Sequence, residues 1–140
     1  MLLHDLFGLT GRTALVTGGS SGIGRAIAEA LAGAGAHVVI AARTVEGLER
    51  TTAEVTANEA VSAAGGEVSW LRADLTNRAG AHALADAVLE GHGHVDIVVN
   101  SAGVNIRPPL GELTEPEWDT TMAVNLEAPF VLAQQHRRRR

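Results

Sequence analysis

The sequence predicts an α/β fold, a parallel sheet sandwiched by helices, and three observations carry that prediction. Short apolar runs alternate with segments of helical periodicity along the chain. The runs are apolar on both faces instead of alternating, as strands covered by helices on both sides must be. A cluster of Gly and Ser, which no strand would tolerate, separates the first run from the first long helix.

Residues 12–17, Arg-Thr-Ala-Leu-Val-Thr, are β-branched and apolar and read as a buried strand. Beyond the Gly and Ser cluster, Ile23, Ala26, Ile27, Ala30, Leu31 and Ala34 recur at helical spacing. They predict a helix with that stripe buried and with Gly35 as its cap. Residues 37–41 form a second buried strand, and the Ala- and Glu-rich stretch 45–64 predicts one long helix ending at Gly65 and Gly66. Residues 68–71 make a third strand, residues 77–90 a helix that buries Leu84, Ala87 and Val88, and residues 95–99 a fourth strand. The last helix opens on a capping box, in which Thr114 caps and Glu117 reaches back, and it runs towards Gln135. Right-handed crossovers give these strands the order 3-2-1-4. A ligand crevice then lies at their carboxyl ends, between strands 1 and 4, where the order reverses.

Composition removes several chemistries. The 140 residues contain no Cys, no Tyr and no Lys, because all 11 basic residues are Arg. A disulfide framework, a thiol nucleophile, a Cys-based zinc site, a Walker A loop and a Schiff base are all excluded. Net charge is −5, and with residues 137–140 set aside, seven Arg oppose 16 acidic residues. An acidic body argues against nucleic-acid binding through a basic face. Residues 1–10 are too short and polar for a signal peptide, and no apolar run approaches a membrane span, so a cytoplasmic location is expected. His92 and His94 on a turn, with His82 isolated, read as solvated and not as a metal site. Asp86 and Glu90 read as an exposed helix face. Trp118, Met122 and Phe130 on the last helix read as helix packing, or else as an oligomer interface.

The stretch from Thr17 to Gly24, Thr-Gly-Gly-Ser-Ser-Gly-Ile-Gly, leaves a strand and opens a helix. Main-chain N–H groups converge there, where a helix N-terminus already favours an anion, and pyrophosphate is the natural occupant. Gly18 permits the tight turn, Gly22 the close approach of backbone to phosphate, and Gly24 the packing of helix on strand; Ser20, Ser21 and Ile23 complete the loop. After strand 2, where an acidic residue would hydrogen-bond the ribose 2′-OH of NAD, the sequence reads Ala41-Ala42-Arg43. A guanidinium can fork onto a 2′-phosphate, so Arg43 favours NADP, with NAD as the alternative. Pro129 stands four residues after Asn125 and has no N–H to donate, which leaves the Asn125 carbonyl without its helical partner in a kinked helix.

The spacing Gly-x-x-x-Gly-x-Gly resembles the short-chain dehydrogenase/reductase family, and further motifs follow in that family's order over almost the whole chain. Asp74-Leu75 follows strand 3, where the family's Asp contacts the adenine end. Asn100-Ser-Ala-Gly103 follows strand 4, close to the family's Asn-Asn-Ala-Gly, and the resemblance assigns Asn100, Ala102 and Gly103 to the cofactor. Ser101 departs from the family's Asn and receives no role. The resemblance makes Asn125 catalytic, supporting a water through its main-chain oxygen within a relay that includes a Ser, a Tyr and a Lys. It implies a Rossmann-type domain and hydride transfer between a nicotinamide and a carbonyl or alcohol substrate. Residues 105–109 and the opening residues 7–12 look like members acting on sugar acids and polyols; 3-oxoacyl reductases share nearly everything else.

The Tyr-x-x-x-Lys motif cannot occur in a chain lacking both letters. This predicts no meaningful turnover by the chain alone, and leaves a catalytically inactive dinucleotide-binding or interaction module as the second reading. The family's Ser is expected beyond residue 140. Residues 1–136 are accordingly expected to be the N-terminal part of the domain, truncated after about four strands, and residues 137–140 an Arg tail that is non-native or solvated. The resemblance further implies a homo-oligomer through the last helix. A fourth strand left as an apolar edge predicts marginal stability and self-association.

Overall fold

The computed structural model describes residues 2–138. A short helix α1 (Leu3–Phe7) leads into β1 (Thr13–Thr17), α2 (Gly22–Gly33), β2 (His37–Ala42), α3 (Val45–Thr56), α4 (Glu59–Ala64), β3 (Glu67–Arg72), α5 (Arg78–His92) and β4 (Ile97–Asn100). After a 3-10 turn (Leu110–Glu112), helix α6 (Glu115–Met122), a π turn (Ala123–Glu127) and α7 (Ala128–Arg138) follow without a break. The sheet is parallel throughout and ordered β3-β2-β1-β4, as the crossover rule requires.

Strand alternation divides the core in two. Ala14, Val16, Val38 and Ile40 face α2 and α3 with Ala28, Ala32, Leu48 and Val55. Leu15, Val39 and Ala41 face the other layer, packing with Leu84, Ala85 and Val88 of α5 and with Val131 and Leu132 of α7. All five residues of β1 are buried, which is why that strand reads as an unbroken apolar run. Each such Val or Leu side chain stabilises the fold by about 1.5–3 kcal/mol.

The structure corrects the reading of the helices in three places. In α2 the buried face is Gly24, Ala28 and Ala32, while Ala26 and Ala30 are exposed and Ile23 is 76% exposed. The helix lies so close on the sheet that its smallest residues make the contact, and the larger apolar stripe flanks them. Its end is as expected: Gly35, at φ 98°, donates to Ala32 O, and Ala36 donates to Leu31 O. The stretch 45–64 is two helices. Asn58 stops the first and caps the second, accepting from Ala60 N at 2.9 Å, while its Nδ2 donates to Glu29 of α2 at 2.6 Å. In α5, Leu84 and Val88 are buried as expected, together with Ala81, Ala85 and Leu89, whereas Ala87 is exposed because the stripe widens towards Ala81 and Ala85.

The last helical stretch bears out its capping box: Thr114 Oγ1 accepts from Glu117 N, and the Glu117 carboxylate accepts from Thr114 N. The kink expected at Pro129 is a π turn, in which Ala128 N donates to Ala123 O five residues back. Packing within the chain does not cover Trp118 or Phe130, which are 54% and 63% exposed, because α7 buries Ala128, Val131, Leu132 and His136 instead. Arg137 and Arg138 are the last residues of α7, and the remainder of the Arg tail lies outside the described residues. Among the described residues no helix is long and apolar enough to cross a membrane.

Candidate functional site

A cleft of about 450 Å³ opens at the carboxyl ends of the strands, on the side where the order reverses between β1 and β4. Its floor is the turn between β1 and α2. Gly18 sits at φ 65° and Gly22 at φ 55°, backbone that L side chains rarely adopt. A Cβ on Gly18 would press on the backbone of Ser101 and Ala102, and one on Gly24 would collide with the Gly18 carbonyl. The close packing of Gly24 is therefore onto the turn itself and not onto the strand. A Cβ on Gly22 would meet nothing within 4 Å, so the space over that residue is open. Ser21 occupies the cap position of α2 with no side-chain hydrogen bond, leaving the first N–H groups of the helix to whatever enters.

Two threonines hold this turn that the sequence reading passed over. Thr17 Oγ1 donates to Val99 O at 3.4 Å and accepts from Ala102 N at 3.2 Å, which fastens the loop after β4 to the end of β1. Thr51, fully buried on α3, donates to Ser20 O at 3.0 Å. Gly47, one helical turn earlier on α3, also faces Ser20, at a distance a Cβ would fill with ordinary contact.

Of the residues singled out in the sequence, Gly18, Ser20, Ser21, Ile23, Gly24, Arg43, Leu75, Ala102 and Gly103 line the cleft together. Thr44, Thr76, Ser101, Val104 and Val124 line it as well and were not singled out for it. Gly22, Asp74, Asn100 and Asn125 lie outside the lining. Asp74 is exposed; its Oδ1 accepts from the Thr76 hydroxyl at 2.7 Å and the Thr76 amide at 3.0 Å. Those two bonds, helped by the charges of Arg43 and Arg72, hold its carboxyl below the usual carboxylate range. Asn100 ends β4 opposite Thr17. Asn125 sits on the π turn and grips the loop after β4 through the backbone of Val104. The Arg43 guanidinium makes no hydrogen bond or ion pair among the described residues.

The geometry suits an extended ligand with an anionic middle: donors at a helix N-terminus, close-approach glycines, and a free guanidinium past the neighbouring strand. The short chain dehydrogenase family model matches residues 12–138. The chain belongs to that family. D-threitol dehydrogenase of Mycolicibacterium smegmatis is 40% identical over 128 residues, covering 91% of this chain and 47% of that protein. Gluconate 5-dehydrogenase of Gluconobacter oxydans is 37% identical over 137 residues, covering 93% and 48%. The crystal structure of a 3-oxoacyl (acyl-carrier-protein) reductase from Agrobacterium tumefaciens with NADP bound superposes with TM-score 0.84 at 38% identity, over 97% of this chain and 50% of that one. This short-chain dehydrogenase chain thus spans about half the length of the curated relatives it matches. Elsewhere, His94 pairs with Asp96 at 3.3 Å and His92 stacks edge-on against His37 at 4.6 Å, and no group of three or more metal-ligating side chains forms among the described residues.

Proposed function

We propose that this chain is the cofactor-binding half of an NADP-dependent oxidoreductase and binds the dinucleotide in the cleft above β1. The observation that carries this reading is the pairing, in one cleft, of the Gly18–Gly24 turn with an unpartnered Arg43. Main-chain N–H groups of the turn and of the first turn of α2 hold the diphosphate, with Gly22 leaving room for its approach. Arg43 meets the ribose 2′-phosphate, where a fork of N–H donors fits better than it would fit the 2′-OH of NAD. Leu75, Ala102 and Gly103 wall the remaining length, with Asp74 and Asn100 at the strand ends beside it.

When bound, the nicotinamide supplies the hydride donor or acceptor for a carbonyl or alcohol carbon. Asn125 contributes a main-chain carbonyl on the π turn as the acceptor for a water in a proton relay. The substrate classes that similarity supports are a sugar acid, a polyol or a 3-oxoacyl group, since relatives carry those names. A second copy of the chain packs through the last helix, where Trp118 and Phe130 are exposed.

One observation favours a second reading. None of the 140 residues is Tyr or Lys, so these residues alone hold no acid–base pair of the family's kind. The chain by itself is then an inactive dinucleotide-binding or interaction module. Titration calorimetry of the folded protein tests the first point: NADP⁺ is expected to bind more tightly than NAD⁺, and no heat with either overturns the site. An assay of hydride transfer to a sugar or 3-oxoacyl substrate separates the two readings, since turnover by the chain alone overturns the second.

A further inference from the structure

The carboxyl ends of β2 and β3 bring a second guanidinium beside Arg43. Ala42 and Arg72 are partners in the parallel register, so the chain leaving β2 passes directly by Arg72. Arg72 Nε donates to the main-chain carbonyl of Arg43 at 3.1 Å, which pins the backbone from which the Arg43 side chain departs. The terminal amino groups of Arg72 make no hydrogen bond among the described residues, and neither guanidinium belongs to an ion pair there. The carboxylate that both arginines act on is Asp74, whose Oδ1 is already taken by Thr76. Both guanidinium groups thus act on the same exposed carboxylate, and neither is held by it in an ion pair. Two like charges near one another repel, and a bound anion relieves that repulsion. Arg72 itself lies outside the cleft lining and meets it through its neighbours Arg43 and Ala73, which line the wall.

We propose that Arg72 is a positioning residue for recognition of the ribose 2′-phosphate: it fixes the backbone under Arg43 and adds a second positive charge behind it, just outside the cleft wall. The proposal rests on the reading of the cleft as an NADP site. A phosphate monoester carries more charge than one guanidinium neutralises, and a fixed departure point reduces what Arg43 loses on being ordered.

Calorimetry on the full chain tests this with two matched pairs of probes, NADP⁺ against NAD⁺ and adenosine 2′,5′-bisphosphate against AMP. R72Q is expected to weaken both 2′-phosphorylated probes about tenfold, the worth of one charge-assisted hydrogen bond, and to leave NAD⁺ and AMP unchanged. An equal loss on all four probes marks a merely structural role and overturns the proposal, as does no loss on any. If R72Q does not fold, R72K is read in the same way: a ratio of affinities reduced about threefold supports the proposal and an unchanged ratio overturns it. If the unsubstituted protein binds none of the probes, the NADP reading itself falls and the role of Arg72 with it. That result is distinct from wild-type binding with an unaltered ratio in the variant.

Discussion

Asn125 and Val104 are joined by two hydrogen bonds: Asn125 Oδ1 accepts from Val104 N at 2.9 Å, and Nδ2 donates to Val104 O at 2.9 Å. The amide side chain thus pairs with a main-chain peptide as a strand neighbour would, and it fixes the loop after β4 to the π turn. Gly103 lies beside the same oxygen, where a Cβ would come within 3.5 Å. Asn125 therefore acts on the cleft wall through its side chain, independently of its main-chain carbonyl.

Replacing Asn125 by Ala removes both bonds and frees the loop at Val104, leaving Thr17 to hold Ala102. Unfolding stability is expected to fall by about 1–2 kcal/mol, since the pair is solvent-accessible. Dinucleotide affinity is expected to fall several-fold, because the loop must then be ordered on binding. N125D keeps the acceptor for Val104 N–H but sets a carboxylate against the Val104 carbonyl, and is expected to be no more stable than N125A. Urea unfolding with parallel calorimetry reads both quantities, and an N125A protein with unchanged stability would show that the clamp holds nothing.

The glycines of the turn separate stability from binding. G24A drives a methyl into the Gly18 carbonyl and is expected to cost about 3 kcal/mol by distorting the turn, with binding lost. G22A meets open space and pays only for its left-handed backbone, about 1 kcal/mol. If the diphosphate approaches through that open space, the added methyl obstructs it, and binding is expected to fall by far more than stability. Thermal unfolding and dinucleotide titration of the two variants check the contrast.

The sheet and its order were legible because β1 and β2 are buried on both faces, and burial of that kind leaves an apolar run with no polar alternation to misread. The glycine turn was legible because two of its residues need positive φ. The buried face of α2 was not, since close approach selects Gly24, Ala28 and Ala32 by smallness, whereas hydropathy points to Ile23 and its companions. Asn58 was hidden for a different reason: its cap is local, but the Glu29 contact that stabilises the break comes from 29 residues away. The partners of Thr17, Thr51, Arg72 and Asn125 are in each case distant main-chain atoms, which carry no letter in the sequence.

Two histidines give the fold an acid limit. Burial pushes the His136 imidazole below its ordinary value, against the opposing effect of its Nδ1 bond to Leu132 O at 2.6 Å, and its Nε2 is buried with no partner. Burial, then the neighbouring His37, lowers His92. The unfolded chain keeps the ordinary value near 6.5, so below it the unfolded state takes up protons that the folded state resists. Stability from this source is present above about pH 6.5 and is lost as the pH falls towards the folded-state values. H136L removes one of the two groups, so melting curves at about pH 7.5 and about pH 5.5 are expected to differ less in H136L than in the unsubstituted protein. Equal differences in the two proteins would remove His136 from the account.

Self-association has two candidate surfaces, and substitution can tell them apart. β4 pairs with β1 alone among the described residues, so its other edge offers unsatisfied main-chain groups beside the half-buried Ile97, Val98 and Val99. Trp118, Leu126 and Phe130 form the other surface, exposed along α6, the π turn and α7. If the helical surface joins two copies, F130E is expected to shift sedimentation towards the single chain with little change in unfolding stability, since Phe130 buries little within its own chain. A charge in the sheet, as in V98E, strikes the packed core beside β4 as well as the edge and is expected to lower stability by several kcal/mol. A proline there would do the same. The informative outcome is therefore that of F130E: unchanged sedimentation in a fully folded variant would move the contact from the helices to the β4 edge, and a homo-oligomer through the last helix would be ruled out.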